Sequence, residues 1–208
     1  MYKLLAITGT ATLLVAAAAP AATPAMNATS TAAFATNPLL APWSGPYGGV
    51  PPFDRVKVEQ IEPAIEAAMA EELAALERIA SDPAAPSFEN TIAAMERSGR
   101  PLERVMTIYG VYASTMNDEA MQAVERAMAP KLAAHGDKIT QNARLFARIG
   151  AVYDAREHSG LTPEQQRLTW LIYTHFVRAG AKLDADAKAR LAEMNQQLAG
   201  LYTSFGQN

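Results

Sequence analysis

Beyond residue 58, every periodic run of apolar residues in this chain repeats at steps of three and four, and none alternates with a period of two. Steps of three and four stack side chains on one face of a 3.6-residue helix, whereas a half-buried strand needs strict alternation. The expected fold class is therefore all-α, built from antiparallel helical hairpins joined by short turns. No segment recurs at a fixed length, which argues against a regular solenoid.

The stripes and their punctuation place the helices. Pro63 sits in a first turn, and Ile65, Met69, Leu73, Leu76 and Ile79 follow until Asp82-Pro83 stops the run. In FENTIAAMERSG, Ser87 is positioned as an N-cap, and Ile92 and Met95 share a face with Phe88. Gly99 is expected to supply a left-handed exit, with Pro101 opening a third helix that buries Leu102, Val105, Met106 and Tyr109. Asn117 is read as the cap of a fourth helix running through Met121, Val124 and Met128, with a kink at Pro130.

A fifth helix carries Leu145, Phe146, Ile149, Val152 and Tyr153 and closes near Ser159-Gly160. Thr162-Pro163-Glu164-Gln165 is a capping box with proline in the first helical position. The sixth helix that follows puts Leu168, Leu171, Ile172, His175, Phe176 and Ala179 on one side, and Gly180 ends it. A last helix begins near Asp184 and repeats Leu191, Met194, Leu198, Leu201 and Phe205. That stripe still runs three residues before the sequence stops, which suggests truncation and an apolar surface left for a missing portion to cover.

Ahead of the helices lie three different stretches. Residues 1–25 have one basic residue, Lys3, an apolar run from Leu4 to Ala19, and small residues after it. This is the layout of a secretory signal peptide with cleavage after Ala21 or Ala25, so the protein is expected to be exported, periplasmic or secreted. The apolar run is short of the about 20 residues that span a bilayer, so no stable membrane insertion is expected after cleavage. Residues 26–36 are small and polar and read as a flexible spacer. Residues 37–57 hold Pro38, Pro42, Pro46, Pro51 and Pro52 among Leu39, Leu40, Trp43, Tyr47 and Phe53. That composition predicts an extended arm whose aromatic side chains lie in grooves of the helical body. A proline-rich recognition ligand fits less well, because no P-x-x-P register repeats.

Composition limits the chemistry. With 208 residues, half of them hydrophobic, the chain can build one domain with its own core. A net charge of -3 excludes an electrostatic footprint for nucleic acid. The absence of cysteine excludes disulfides and thiolate metal sites. His135, His158 and His175 are far apart, and none has a second histidine four residues on, as a helical zinc site requires. His158 beside Glu157 fits a helix end, and His175 on an apolar stripe fits a hydrogen-bonded core or boundary position. Asp184 and Asp186 suit a helix start better than a catalytic pair. There is no G-x-S-x-G and no phosphate-binding glycine loop. No catalytic, cofactor-binding or metal residue is nominated.

Residue choices beyond periodicity carry a resemblance. PSFENTIAAMERSG resembles the P-x-F-x-N-T-I…L-E-x-S-G signature of the zinc metallopeptidase family of thimet oligopeptidase and peptidyl-dipeptidase, with Met95 where leucine is usual. NPLL…PYGGVPPFDRVKVEQIEPAIEAAM is similar to that family's N-terminal arm and first helix. MAPKLAAHGDKI, LFARIGAVYD, FVRAGAKL and LYTSFGQN resemble successive segments of its bacterial peptidyl-dipeptidase branch, so the likeness covers residues 37–208 in order. It implies that Asn90 and Thr91 fix a helix start through side-chain hydrogen bonds.

The resemblance also implies an N-terminal helical region, residues 58–208, that forms one wall of a channel and stops before the catalytic domain. In the intact parent, zinc would be held by H-E-x-x-H and a later glutamate outside this chain, and short peptides would lose C-terminal dipeptides. The partners implied are short peptide substrates and the missing C-terminal half, and the chain alone is expected to be inactive. The other reading is a non-catalytic exported helical bundle that binds peptides or a protein partner.

Overall fold

A computed structural model describes residues 37–47 and 49–208. The expected signal peptide, 1–25, and spacer, 26–36, lie outside the described residues. Among the described residues, seven α-helices follow one another: α1 (Ile61–Ala80), α2 (Ala94–Ser98), α3 (Arg100–Thr115), α4 (Glu119–Thr140), α5 (Ala143–Ala155), α6 (Pro163–Arg178) and α7 (Ala185–Gly206). No strand occurs among the described residues, so the all-α expectation holds. A 3₁₀ turn, Val58–Gln60, leads into α1, and a π-helical turn, Phe88–Ala93, leads into α2.

The long helix α1 belongs to two apolar clusters. Its first half sets Ile61, Ile65 and Met69 against Val105, Ile108 and Tyr112 of α3 and Met121 and Met128 of α4. Its second half sets Leu76 and Ala80 against Ile92, against Leu145, Ile149 and Val152 of α5, and against Phe176 of α6. Fully burying one such side chain is worth about 1.5–3 kcal/mol, so the stripe on α1 ties the two halves together.

Residues 37–57 turn more than they extend. Ser44 and Val50 form an isolated antiparallel bridge. Leu39, Leu40 and Val56 are buried, Trp43 is half-buried against the same core, Phe53 stacks on Tyr112 with ring centroids 6.4 Å apart, and Tyr47 alone of the three aromatic residues is fully exposed. Tyr112 makes the polar tie by donating its hydroxyl to the Val56 carbonyl at 3.2 Å.

Several helix ends differ from the sequence reading. The fourth helix is capped by Asp118, not Asn117, because the Asp118 carboxylate accepts from the Met121 amide at 2.9 Å. Pro130 lies inside α4, and the helix continues through it to Thr140. The fifth helix ends at Ala155, and turns carry the chain to Gly160, whose φ is 71°. Thr162 and Gln165 form the expected capping box, and Gly180, at φ 90°, terminates the sixth helix as expected.

Gly99 is not left-handed: its φ is -81° and it caps the start of α3. Glycine leaves room there for Glu72, since a Cβ would stand 2.8 Å from Glu72 Oε1 and the carboxylate would have to shift. α7 buries no residue at all. It lies on α4 through polar groups, with Asn195 donating to Asp137 Oδ1 at 2.7 Å and Gln207 donating to the Gln122 carbonyl at 3.1 Å. The apolar row faces outward, as the uncovered surface expected from the sequence: Met194, Leu198, Leu201 and Phe205 are exposed, Phe205 by 81%.

Candidate functional site

The FENTI segment builds the most elaborate polar local structure in the fold. Ser87 Oγ accepts from the Asn90 amide at 3.2 Å while Asn90 Oδ1 accepts from the Ser87 amide at 2.8 Å. The same Asn90 donates through Nδ2 to the Ala85 carbonyl, and Thr91 donates its hydroxyl to Asn90 Oδ1 at 3.0 Å. Asparagine is needed because only an amide offers both the acceptor and the donor at that distance from the backbone. The backbone between Phe88 and Ala93 is wound as a π-turn, a form that recurs at functional sites, where α-helix alone was expected.

Arg148 of α5 holds this segment from below. Its guanidinium donates to the carbonyls of Asp82 and Ala84 at 2.8 and 2.9 Å and to Asn90 Oδ1 at 3.1 Å. Sequence periodicity passes over Arg148, since a charged residue between Leu145 and Ile149 reads as a surface position. One arginine thus closes the 81–87 loop against α5.

Between α1, α2, α4 and α6 opens a cavity of about 400 Å³. Leu76, Met95, Ile139, Ile172 and Phe176 form its apolar wall, and Glu72, Glu96 and His175 supply the polar groups. The volume is in the range of small-ligand sites, and the wall is mainly apolar, as such sites require. Behind Glu72 lies His135, whose Nε2 donates to Glu72 Oε2 at 2.7 Å. Both side chains are withdrawn from solvent, 8% and 15% exposed.

The remaining sequence candidates scatter. His175 lines the cavity mouth and is exposed, so it is not a core residue. Leu171 is 45% exposed for the same reason, because the cavity opens α6 on that side. His158 and Glu157 are exposed beyond the end of α5, where Glu157 pairs with Arg156 at 2.7 Å. Asp184 caps α7 by accepting from the Ala187 amide at 2.8 Å, and Asp186 sits in the first turn. Glu72 and His135 were the pair that sequence reading missed. They are 63 positions apart, and only the packing of α4 on α1 brings them together.

Zinc does not fit the described residues. No group of three or more His, Asp or Glu side chains among them stands close enough to hold a metal ion, and the His135 nitrogen nearest a carboxylate is already committed to it. What the site can do is bind: it offers apolar walls and two carboxylates.

The Glu72 contact also makes Gly99 testable. In Gly99→Ala, the new methyl group pushes Glu72 Oε1 away, and overpacking of this kind costs about 1–3 kcal/mol. We expect the lower end, read as a fall in urea midpoint at unchanged slope, because a carboxylate can rotate. Unchanged stability in that variant would mean that Glu72 is not held in place by His135.

No protein-family model matches the chain. Among curated proteins it is 38% identical over 172 residues to the dipeptidyl carboxypeptidase of Salmonella typhimurium, covering 83% of this chain and 25% of that protein. It is 36% identical over 171 residues to the dipeptidyl carboxypeptidase of Escherichia coli, with 82% and 25% covered. Oligopeptidase A of Salmonella typhimurium is 24% identical over 173 residues, again with 25% of its length covered. The chain therefore spans about a quarter of the length of the curated relatives it matches. With two dipeptidyl carboxypeptidases aligned over more than four-fifths of its residues, the chain belongs to the family of thimet oligopeptidase and peptidyl-dipeptidase.

Proposed function

We propose that this chain is the N-terminal helical, channel-wall part of an exported zinc metallopeptidase that releases C-terminal dipeptides from short peptides. The observation that carries the reading is the 38% identity to a dipeptidyl carboxypeptidase along 83% of the chain. The catalytic residues and the zinc ligands belong to the rest of the parent polypeptide. Two features of the fold support that division. The exposed row Met194, Leu198, Leu201, Tyr202 and Phe205 on α7 is an apolar face of the kind a further domain covers. The cavity beside Glu72 offers apolar walls for peptide side chains.

The test separates the parts. The chain alone leaves a blocked tetrapeptide with a free C-terminus uncut, whereas the chain joined to the remaining three-quarters of its parent releases the terminal dipeptide in a chelator-sensitive manner. Dipeptide release by the isolated chain would overturn the division of labour. No release by the complete parent would overturn the peptidase reading. In the complete parent, Leu201→Glu with Phe205→Glu is expected to lower the yield of folded enzyme, because two carboxylates cannot be buried unpaired. In the isolated chain the same pair leaves the helical circular dichroism unchanged.

Export is a separate part of the proposal and rests on residues 1–25. It predicts that the mature protein begins at Ala22 or Met26 when its N-terminus is sequenced from the periplasm or the medium. A cytoplasmic protein that retains Met1 would remove this part and leave the peptidase reading standing.

A further inference from the structure

A second cavity, of about 370 Å³, is lined by Trp43 and by Arg100, Glu103, Arg104 and Thr107 of α3. Its charges are arranged against local preference. Arg100 opens α3, where the exposed backbone amides already carry partial positive charge, and Arg104 follows one turn later as a like-charge neighbour. Asp or Glu would suit the first of these positions better. Among the described residues, neither guanidinium has a carboxylate within 4.0 Å: every other ion pair is made elsewhere. Glu103 is equally without a cationic partner, so it does not neutralise the two arginines directly.

Hydrogen bonding repeats the pattern. Arg104 Nε and Trp43 Nε1 are both buried without an acceptor. An indole offers a donor only, and a guanidinium offers five donors and no acceptor. Thr107 has already given its hydroxyl proton to the Glu103 carbonyl, which leaves its oxygen free only to accept. The cavity is therefore rich in donors from Trp43, Arg100 and Arg104, with a net charge of one positive from two arginines and one glutamate.

We propose that this cavity is a binding site for a monoanionic carboxylate, seated between the Arg100 and Arg104 guanidiniums with its apolar part against Trp43. A planar guanidinium fork matches the two oxygens of a carboxylate. The single net positive charge of the lining suits one negative charge better than the two of a phosphate. Trp43 brings an aromatic face from the segment before α1, so occupancy would also pin that segment to α3. The site is independent of the peptidase reading, because it uses no catalytic residue and no metal.

The experiment uses the full chain with Trp170→Phe, which leaves Trp43 as the one remaining tryptophan of two. Its fluorescence is followed during titration with N-acetylphenylalanine and, separately, with N-acetylphenylalanine amide. The acid is expected to give a saturable change and the amide none. Arg104→Gln should weaken the acid at least tenfold and Arg100→Gln less. Glu103→Gln should tighten it, and Arg190→Gln on α7 should leave it unchanged.

In case the Trp170 variant is unstable, the indole N–H resonance of Trp43 in the unaltered chain gives the same readout. Equal responses to acid and amide, or an unchanged titration in both Arg104→Gln and Arg100→Gln, overturn the proposal. So does inorganic phosphate binding more tightly than the acid, which would make the site one for a dianion.

Discussion

Arg148→Ala is expected to lower the free energy of unfolding by about 3 kcal/mol, the lower end of the range for stripping one partner from a buried charged cluster. The side chain is only 7% exposed, and it serves two backbone carbonyls and the Asn90 amide oxygen at once. Removing it leaves the carbonyls of Asp82 and Ala84 without their donor, and it leaves a void under the 81–87 loop. The lower end applies for two reasons. Asp82 is 3.6 Å from the guanidinium and remains partly solvated, and Arg148 Nε has no acceptor in the native state, so the native cluster is not fully satisfied.

Arg148→Lys should recover little, because one ammonium cannot reach three acceptors held in the plane of a guanidinium fork. The comparison that decides is Arg144→Ala, one turn earlier on α5. Arg144 pairs with Glu77 at the exposed surface and should cost no more than about 1 kcal/mol. Urea midpoints of the two variants, measured at unchanged slope, separate a buried tie from a solvated one. Similar losses in both would mean that burial of Arg148 contributes nothing.

That contrast shows what sequence pattern reaches and where it stops. The apolar stripes of α1 and α5 were legible because burial follows a fixed period: Ile65, Met69, Leu76, Leu145, Ile149 and Val152 are all buried. Caps were legible where the side chain acts on its own neighbours, as at Ser87 and Thr162. Period says nothing about pairs made across 60 positions. Arg148, Glu72 and His135 each read as an ordinary polar residue until helix packing brings their partners to them.

Gly99 was misread for a related reason. A glycine after a helix suggests a left-handed exit, but the pressure on this one comes from Glu72, a side chain 27 positions earlier. On α7 both the period and the uncovered apolar face were legible: the row at 194, 198, 201 and 205 is exposed because α4 takes the polar side of the helix. Fold class, then, follows from local spacing, while the candidate site depends on contacts that spacing does not encode.

Glu72→Met should cost about 2–3 kcal/mol, since a buried histidine, 7% exposed, loses its charged hydrogen-bond acceptor. His135 Nδ1 is already without a partner, so the single variant strands both ring nitrogens inside the packed interface of α1 and α4. His135→Leu should also destabilise, by a similar amount, because the Glu72 carboxylate, 15% exposed, then loses its hydrogen-bond donor. If the two side chains act as a unit, the losses do not add.

The double variant Glu72→Met with His135→Leu replaces both polar groups by apolar ones of similar size, and it should lie within about 1 kcal/mol of the unaltered chain. The coupling energy from that cycle is then about 3 kcal/mol or more, well above the few tenths that independent sites show. A double variant as unstable as the sum of the singles would break the argument. A double variant that is stable but whose cavity no longer accepts ligands would place Glu72 in binding rather than in folding. The pair sits at the junction of helix packing and cavity wall, and the cycle tells which of the two it serves.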